Sequence, residues 1–331
     1  MEISTQILTV HTRETFAIAR SSSDTFRRAV LRLEEDGMVG LGEAASTGYY
    51  GQDPDADRAA LESVRVEDPW DIEGTLRLNE DLSASALAAL DAALHDLAAK
   101  RLRIPVWRLL GLSRPRPASA YTLAIADRET TLSRAHSRAG YPIFKVKLGG
   151  WRDIETLRAL SGETEAEIWA DANEAFPPEE AVEAVRELRE IGVAMIEQPV
   201  AASEGREALE EVTRAAYPVP VIADESALVA ADVPPLVGCV SGVNVKLAKC
   251  GGIRRALEMI HTARACGMRV MVGCMVETSL GISAAAQFSG LVDYVDLDGP
   301  MLLADDPFEG LVFERGRLIV PDVPGLGVEL R

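Results

Sequence analysis

The sequence predicts an α/β barrel preceded by a smaller α+β domain. Strand-like segments alternate with helical patterns through residues 117–305, which is typical of parallel βαβ units. The charged residues that end five of these segments follow one another at intervals of 22 to 27 residues, about the length of one β/α unit in an eightfold barrel. Residues 1–116 run from strands to helices instead, which favours a separate α+β domain.

The N-terminal domain, predicted for residues 1–116, begins with a hairpin. Strand-like residues on both sides of Asp36-Gly37 give the strongest short-range hairpin signal. A helical region follows, and Gly111 marks its end. Its leucines recur at helical spacing, at Leu87, Leu90, Leu94 and Leu97. Residues 306–331 contain one more hairpin-like stretch and no helical pattern, so we expect them to return to this domain.

The barrel, predicted for residues 117–305, has eight strands: SAYTLAI, FKVKL, IWADAN, MIEQP, VIADES, GVNVKLA, RVMVGCM and YVDLDGP. Helical patterns lie between them, such as PPEEAVEAVRELREIG, which has proline at its start and Gly192 at its end. Eight strands in one series fit a closed barrel better than an open sheet. No G-x-G-x-x-G or Walker pattern opens a helix, so the sequence does not favour nucleotide binding.

The composition argues against two classes of binding partner, nucleic acids and membranes. The 331 residues include 34 Lys and Arg against 52 Asp and Glu, a net charge of −18. Such an acidic chain is a poor candidate for nucleic acid or an anionic membrane surface. No apolar run reaches the roughly 18 residues that a membrane-spanning helix requires. We therefore expect neither a nucleic-acid nor a membrane partner, while the sequence leaves a homo-oligomer open.

The N-terminus and the cysteines predict the cellular compartment. The segment MEISTQILTVHTRE lacks a basic region followed by an apolar stretch, so we expect no signal peptide. None of the four cysteines belongs to a C-x-x-C pair. We expect them to be reduced, in a cytoplasmic protein.

Lysines end the second and the sixth predicted barrel strands. In FKVKL, Lys145 and Lys147 share one face of the strand and apolar residues share the other. The apolar face must pack on the helices, so both lysines are expected to point into the mouth of the barrel. In GVNVKLA, the same alternation turns Lys246 inward. Lys249 has the opposite parity, so we assign the base to Lys246 and expect Lys249 in a loop or at the surface.

Three carboxylates, Asp171, Glu197 and Asp224, end the strands between these lysines. In barrels the C-terminal ends of the strands hold the active site. Three oxygen ligands suit Mg²⁺, whereas zinc is disfavoured because no histidine or cysteine joins the cluster. Each acid could instead cap the following helix or pair with a lysine, but three in register favour a metal site.

A metal between two bases points to proton transfer beside a carboxylate. A cation on the substrate carboxylate makes the α-proton more acidic, because it stabilises the enediolate that forms. Lysines on opposite sides could each remove or return that proton. A non-catalytic ligand-binding barrel is the alternative from another class, and the complete set of bases and ligands argues against it.

The chain resembles the enolase superfamily, and within it the muconate lactonizing enzyme subgroup. The resemblance covers nearly the whole chain and includes the motifs KVK, DAN, EQP, ADES, NVKLAKCGG and PGLG. It implies a modified TIM barrel, (β/α)7β, with an N-terminal α+β capping domain. It also implies Mg²⁺ ligands and opposing lysine bases at the positions named above, with Lys145 assisting Lys147. The seventh strand has no histidine, which disfavours the mandelate racemase branch.

The eighth strand narrows the expected substrate. Asp296 and Asp298 share one inward face, and this D-x-D resembles the signature of dipeptide epimerases, in which the pair binds the substrate α-ammonium group. Asp298-Gly299 could instead form only a turn. Arg20 lies near the place where relatives that epimerise Ala-Glu have an arginine for the glutamate side chain, although an exposed arginine without a role is equally compatible. Thr122, on the first strand, is a further predicted pocket residue.

Taken together, the residues and the resemblance imply a Mg²⁺-dependent dipeptide epimerase that inverts the Cα of the C-terminal residue of an L,L-dipeptide. Ala-Glu is the leading substrate. The alternatives within the superfamily are o-succinylbenzoate synthase, N-acyl amino acid racemase and muconate cycloisomerase. The D-x-D pair argues against the synthase and the cycloisomerase, because neither substrate carries an ammonium group.

Overall fold

A three-stranded antiparallel sheet opens the chain in the computed structural model, which describes residues 1–331. Its strands are β1 (Glu2–Ile18), β2 (Ser21–Glu35) and β3 (Met38–Ala44), in the order β1-β2-β3. The predicted hairpin joins β2 to β3 through Asp36 and Gly37, whose φ angles are 52° and 75°. A two-residue hairpin loop of this type requires positive φ at both turn residues, which Asp-Gly adopts with little strain.

Four α-helices complete the N-terminal unit: α1 (Pro54–Leu61), α2 (Ile72–Leu78), α3 (Ala84–Leu102) and α4 (Val106–Leu109). The long helix α3 packs directly on β3. A Cβ atom on Gly42 would lie only 1.9 Å from the main-chain oxygen of Ala89, so glycine permits this close approach. Leu90, Leu94 and Leu97 are fully buried in the core that the helix and the sheet share, whereas Leu87 is only partly buried.

Eight parallel strands form the barrel, in the same order in space as in the chain. They are β4 (Tyr121–Leu123), β5 (Ile143–Lys147), β6 (Glu167–Asp171), β7 (Met195–Glu197), β8 (Val221–Ala223), β9 (Gly242–Val245), β10 (Arg269–Val272) and β11 (Tyr294–Val295). A main-chain hydrogen bond from Ala120 N–H to Val295 O, 2.9 Å long, spans the seam beside β4 and β11. The predicted α/β barrel with its N-terminal capping domain is confirmed.

Eight α-helices accompany the barrel strands: α5 (Arg128–Ser137), α6 (Trp151–Ser161), α7 (Pro178–Ile191), α8 (Gly205–Ala216), α9 (Leu247–Cys250), α10 (Ile253–Ala265), α11 (Ser279–Ala286) and α12 (Gly299–Leu302). Helix α7 ends as predicted at Gly192, whose φ is 92°. The one-turn helix α9 is not predicted by the strand and helix patterns. No helix of the chain combines the length and the apolar character that crossing a membrane requires.

The interior of the barrel changes from apolar to charged along the strands. An apolar layer fills it first, formed by Ala120, Trp169, Met195, Ile222 and Met271. Asp171, Glu197 and Asp224 each follow a member of this layer by two residues. Because alternate residues of a strand face the same way, the strands that bury this layer also turn the carboxylates inward at their C-terminal ends.

The last 26 residues, 306–331, contact both parts of the molecule. They contain two short antiparallel pairs, β12 (Phe308–Glu309) with β15 (Glu329–Leu330) and β13 (Val312–Glu314) with β14 (Arg317–Ile319). Leu326 N–H donates to Asp96 of α3 at 2.7 Å, and Leu318 N–H donates to the carbonyl of Pro117 at 2.9 Å. The division of the chain at residues 116 and 305 stays a prediction.

Buried charges join the N-terminal sheet to the barrel. Arg28 of β2 donates from Nε and Nη2 to the carbonyl of Val276, at 2.8 and 2.5 Å. Glu43 of β3 lies 3.8 Å from Arg28 and accepts hydrogen bonds from the main chain and the hydroxyl of Thr278. The capping domain therefore holds the segment between β10 and α11 at two points, Val276 and Thr278.

Candidate active site

A cavity of about 480 Å³ lies between the C-terminal ends of the barrel strands and the β1–β2 hairpin. The capping domain supplies much of its apolar wall, including Phe16, Ile18, Phe26, Tyr49 and Tyr50. The barrel supplies the charged floor, formed by Lys147, Asp224, Lys246, Asp296 and Asp298. Substrate-sized clefts with a few convergent polar groups are the usual form of a small-molecule site.

Lys147 and Lys246 face each other across this cavity. Lys147 ends β5 and Lys246 directly follows β9, which are four strands apart in a ring of eight. Lys147 Nζ lies 2.6 Å from Asp171 Oδ2, and Lys246 Nζ lies 2.7 Å from Asp224 Oδ2. Burial disfavours the charge of Lys246, but Asp224 and Glu197 outweigh it and raise its pKa above the ordinary value. Both predicted bases therefore reach the same space from opposite sides.

Lys145 lies below the cavity floor and does not line the cavity. Its ammonium group is within 2.9 Å of Asp171, 2.8 Å of Glu197 and 2.6 Å of Asp296. Burial opposes its charge, yet these three carboxylates hold its pKa well above the ordinary value. Lys145 is thus a cation that ties the carboxylates together, next to Lys147 on the same strand.

The three predicted metal ligands lie on neighbouring strands. Asp171 is paired with Glu197 in the β6–β7 register, and Asp224 directly follows β8. Glu197 Oε1 accepts a hydrogen bond from Asn244 Nδ2 at 2.7 Å. Burial alone would raise the pKa of Asp171 and Asp224, but the adjacent lysines lower it below the ordinary range. Burial and Asp171 raise the pKa of Glu197 to about 7.

These oxygens fit a hard divalent cation, although no three of them are gathered closely enough to hold one as they stand. The Lys145 ammonium group lies against two of them, Asp171 and Glu197. Glu197 Oε2 is buried and has no hydrogen-bond partner, although Lys145 Nζ is 2.8 Å away. Carboxylate oxygens without nitrogen or sulfur ligands are the donor set that Mg²⁺ prefers.

Asp296 and Asp298 form a second acidic part of the cavity floor. Asp298 Oδ2 accepts a hydrogen bond from Thr122 N–H at 2.6 Å, so the side chain faces the first strand and is more than part of a turn. Asp296 Oδ1 is buried without a partner. Burial and the charge of Asp296 raise the pKa of Asp298 to about 7. A cation in the cavity would favour the charged form of both carboxylates, because it would offset their burial and mutual repulsion.

Arg20 lines the cavity from the tip of the β1–β2 hairpin. Its Nη2 lies 2.6 Å from Glu225 Oε1, and its Nη1 donates to the carbonyl of Asn173 at 3.1 Å. The guanidinium group lies 4.1 Å from the centre of the Tyr49 ring and 3.6 Å from Glu174. The Arg20 side chain is thus 30% exposed and paired with a buried carboxylate, and its role towards a substrate stays a prediction.

The expectation of a loop or surface position for Lys249 is wrong. Lys249 lies in α9, its side chain is fully buried, and its ammonium group is 2.5 Å from Asp224 Oδ1. Strand parity does not apply because the strand ends at Val245 and the chain turns into a helix after Lys246. Helical geometry carries Lys249 back towards the barrel.

Two further residues, Asn244 and Glu225, contact these groups and have no role in the prediction from the sequence. Asn244 shares the inward face of β9 with Lys246 and donates to Glu197, so strand alternation was a sufficient signal for it. Glu225 is buried next to Asp224 and pairs with Arg20. No local pattern distinguishes Glu225 from an ordinary exposed acid after a strand.

Two family descriptions match the chain and together cover most of it. Residues 2–111 match the N-terminal domain of mandelate racemase / muconate lactonizing enzyme. Residues 128–331 match the enolase C-terminal domain-like family.

Individual relatives are similar over nearly the whole chain. The L-Ala-D/L-Glu epimerase of Bacteroides thetaiotaomicron is 38% identical over 96% of this chain and 84% of its own. The L-Ala-D/L-amino acid epimerase of Maribacter sp. is 37% identical over 100% of this chain and 99% of its own. The substrate-liganded L-Ala-D/L-Glu epimerase of Bacillus subtilis superposes with a TM-score of 0.92 at 29% identity, covering 99% and 98%. A dipeptide epimerase of Enterococcus faecalis, complexed with Mg and L-Leu-L-Tyr, superposes with a TM-score of 0.93 at 28% identity. The match covers 99% of this chain and 98% of that one.

Proposed function

Because the chain belongs to the mandelate racemase / muconate lactonizing enzyme family of the enolase superfamily, we propose that it is a Mg²⁺-dependent dipeptide epimerase. The observation that carries the proposal is the pair Asp296 and Asp298 in the same cavity as Lys147 and Lys246. The lysines supply groups that move a proton, and the carboxylates supply a site for an ammonium group. A free dipeptide has both an acidic α-proton beside a carboxylate and an α-ammonium group.

The proposed reaction inverts the Cα of the C-terminal residue. Asp171, Glu197 and Asp224 would hold Mg²⁺, which when bound supplies the positive charge that stabilises an enediolate. One of Lys147 and Lys246 removes the α-proton from one face, and the other returns a proton to the opposite face. Their positions across the cavity support this division, because inversion requires acid and base on opposite sides. Lys145 assists by placing a positive charge beside Lys147.

The substrate is proposed to lie across the cavity floor. Its α-ammonium group pairs with Asp298 and Asp296, close to Thr122. Its C-terminal side chain extends towards the β1–β2 hairpin, where Arg20 supplies a positive charge for glutamate. Ala-Glu therefore remains the leading dipeptide, and the names of the relatives include both L-Ala-D/L-Glu epimerase and L-Ala-D/L-amino acid epimerase.

Deuterium exchange in a dipeptide library tests the proposal. The purified protein is incubated in D₂O with Mg²⁺ and L,L-dipeptides, and mass spectrometry detects exchange of the α-proton. We expect one deuterium at the Cα of the C-terminal residue, a new epimer on a chiral column, and loss of both after chelation by EDTA. Exchange in N-acetyl amino acids or an amine-free acid, with none in any dipeptide, would replace this function by that of a racemase or o-succinylbenzoate synthase.

A further inference from the structure

We propose that Lys249 is a positioning residue that orients the carboxylate of Asp224 for a divalent cation and for Lys246. The inference rests on the proposed metal site, because Asp224 is one of its three ligands. Lys249 does not line the cavity, so it acts on bound groups only through Asp224.

The contacts of Lys249 saturate its ammonium group. Nζ lies 2.5 Å from Asp224 Oδ1, and it donates to the carbonyl oxygens of Asp224, Ala227 and Asn244 at 2.7, 3.0 and 2.9 Å. An ammonium group has three protons, so four acceptors leave none for a substrate. Lys249 thus binds only a carboxylate and main-chain carbonyl groups of the protein, whereas Lys246 lines the cavity.

The two oxygens of Asp224 are divided between two lysines. Lys249 binds Oδ1, while Lys246 binds Oδ2 at 2.7 Å and lines the cavity. With Oδ1 held from behind, the carboxylate cannot rotate without breaking a buried ion pair. Oδ2 is left as the oxygen beside the reacting lysine.

Asp224 needs such support because little regular structure surrounds it. It follows the three-residue strand β8 and precedes an irregular segment that contains Ala227. The three carbonyl groups bound by Lys249 lie on that segment and on β9. One side chain therefore ties the end of β8 to the next strand and sets the direction in which Asp224 points.

Orientation and simple charge predict opposite changes in cation affinity when Lys249 is removed. The positive charge of Lys249 repels a cation at Asp224, so its loss would, by Coulomb's law alone, strengthen the binding of Mg²⁺. Loss of a hydrogen bond that orients a ligand typically weakens metal binding by about 10–100-fold. The sign of the change thus separates the two effects.

Calorimetric titration of Lys249→Met with Mg²⁺ alone tests the proposal. We expect the dissociation constant to rise by about 10–100-fold relative to the wild type. At saturating Mg²⁺, kcat should recover in part, unlike that of a variant that lacks Lys246. Unchanged or tighter Mg²⁺ binding by Lys249→Met would overturn the positioning role.

Two further variants keep the test decisive. Lys249→Gln keeps a neutral donor for the carbonyl groups and replaces Lys249→Met in the titration if that variant does not fold. We expect Lys249→Gln also to bind Mg²⁺ more weakly than the wild type. Lys100→Met is the matched control, because Lys100 binds Asp96 and the carbonyl of Val39 at 2.7 and 2.8 Å in the capping domain. It should be less stable to heat yet bind Mg²⁺ normally; an equal loss of affinity there would attribute the effect to general destabilisation.

The same titration separates this inference from the proposed function. A wild-type protein that binds Mg²⁺ but epimerises no dipeptide would refute the function and leave the role of Lys249 standing if Lys249→Met binds more weakly. A wild-type protein that binds no Mg²⁺ would overturn the role of Lys249 together with the metal site.

Discussion

Replacement of Lys147 or Lys246 by alanine is expected to lower dipeptide epimerisation by at least about 10²–10⁴-fold, the usual contribution of a positioned general acid or base. Each lysine serves one face of the substrate Cα, so inversion fails when either is absent. Circular dichroism or a chiral column follows the conversion of an L,L-dipeptide to its epimer. Wild-type turnover by Lys147→Ala would remove Lys147 from the mechanism.

Exchange with D₂O distinguishes a lost base from a damaged site. The lysine that remains in each single variant should still exchange the α-proton of one epimer while no inversion occurs. Lys147→Ala and Lys246→Ala should therefore show opposite preferences for the two epimers. Full activity of Lys246→Ala would instead remove Lys246 from the mechanism.

Acetylation of the dipeptide amine is expected to lower kcat/KM on the order of 10–100-fold or more. A hydrogen bond to a charged group is worth about 1.5–3 kcal/mol, and the amide that results cannot pair with Asp296 and Asp298 as an ammonium group does. Asp298→Asn should cause a similar loss with the free dipeptide and a smaller loss with the N-acetylated one. Equal losses with both substrates would mean that Asp298 has only a structural role.

The pH profile gives a second reading of Asp298. Its pKa is raised to about 7 by burial and by Asp296, so the carboxylate is charged above that pH and becomes neutral as the pH falls through it. Binding of an ammonium group requires the charged form. We expect kcat/KM of the wild type to decline below about pH 7, and Asp298→Asn to lack the part of that decline that Asp298 causes.

The fold and the charged rim of the barrel are predictable because their signals are local. The interval between strand ends reports the β/α repeat, and alternation within a strand reports which side chains face inward. Asp171 and Glu197 follow that alternation as the last residues of β6 and β7, and Lys147 ends β5 in the same way. The same rule fails at Lys249 because the strand ends at Val245 and Lys249 lies in the helix that follows.

Pairing across the two domains is not predictable in this way. Arg20 and Glu225 are 205 positions apart in the chain, and neither their residue types nor their spacing predicts that they are in contact. The charge available to a substrate at Arg20 depends on such partners, so the sequence around the hairpin suggests an arginine in the cavity but not its surroundings.

The buried contacts of Arg28 and Glu43 with the segment before α11 also bear on how the molecule melts. Separating the capping domain from the barrel would break the hydrogen bonds of Arg28 to Val276 and of Glu43 to Thr278, and a hydrogen bond to a charged group is worth about 1.5–3 kcal/mol. Opening would also expose apolar side chains that the two parts bury together, such as Val10, Val276 and Leu303. The two domains are therefore coupled into one cooperative unit, and heating should give a single calorimetric transition in which sheet and barrel unfold together.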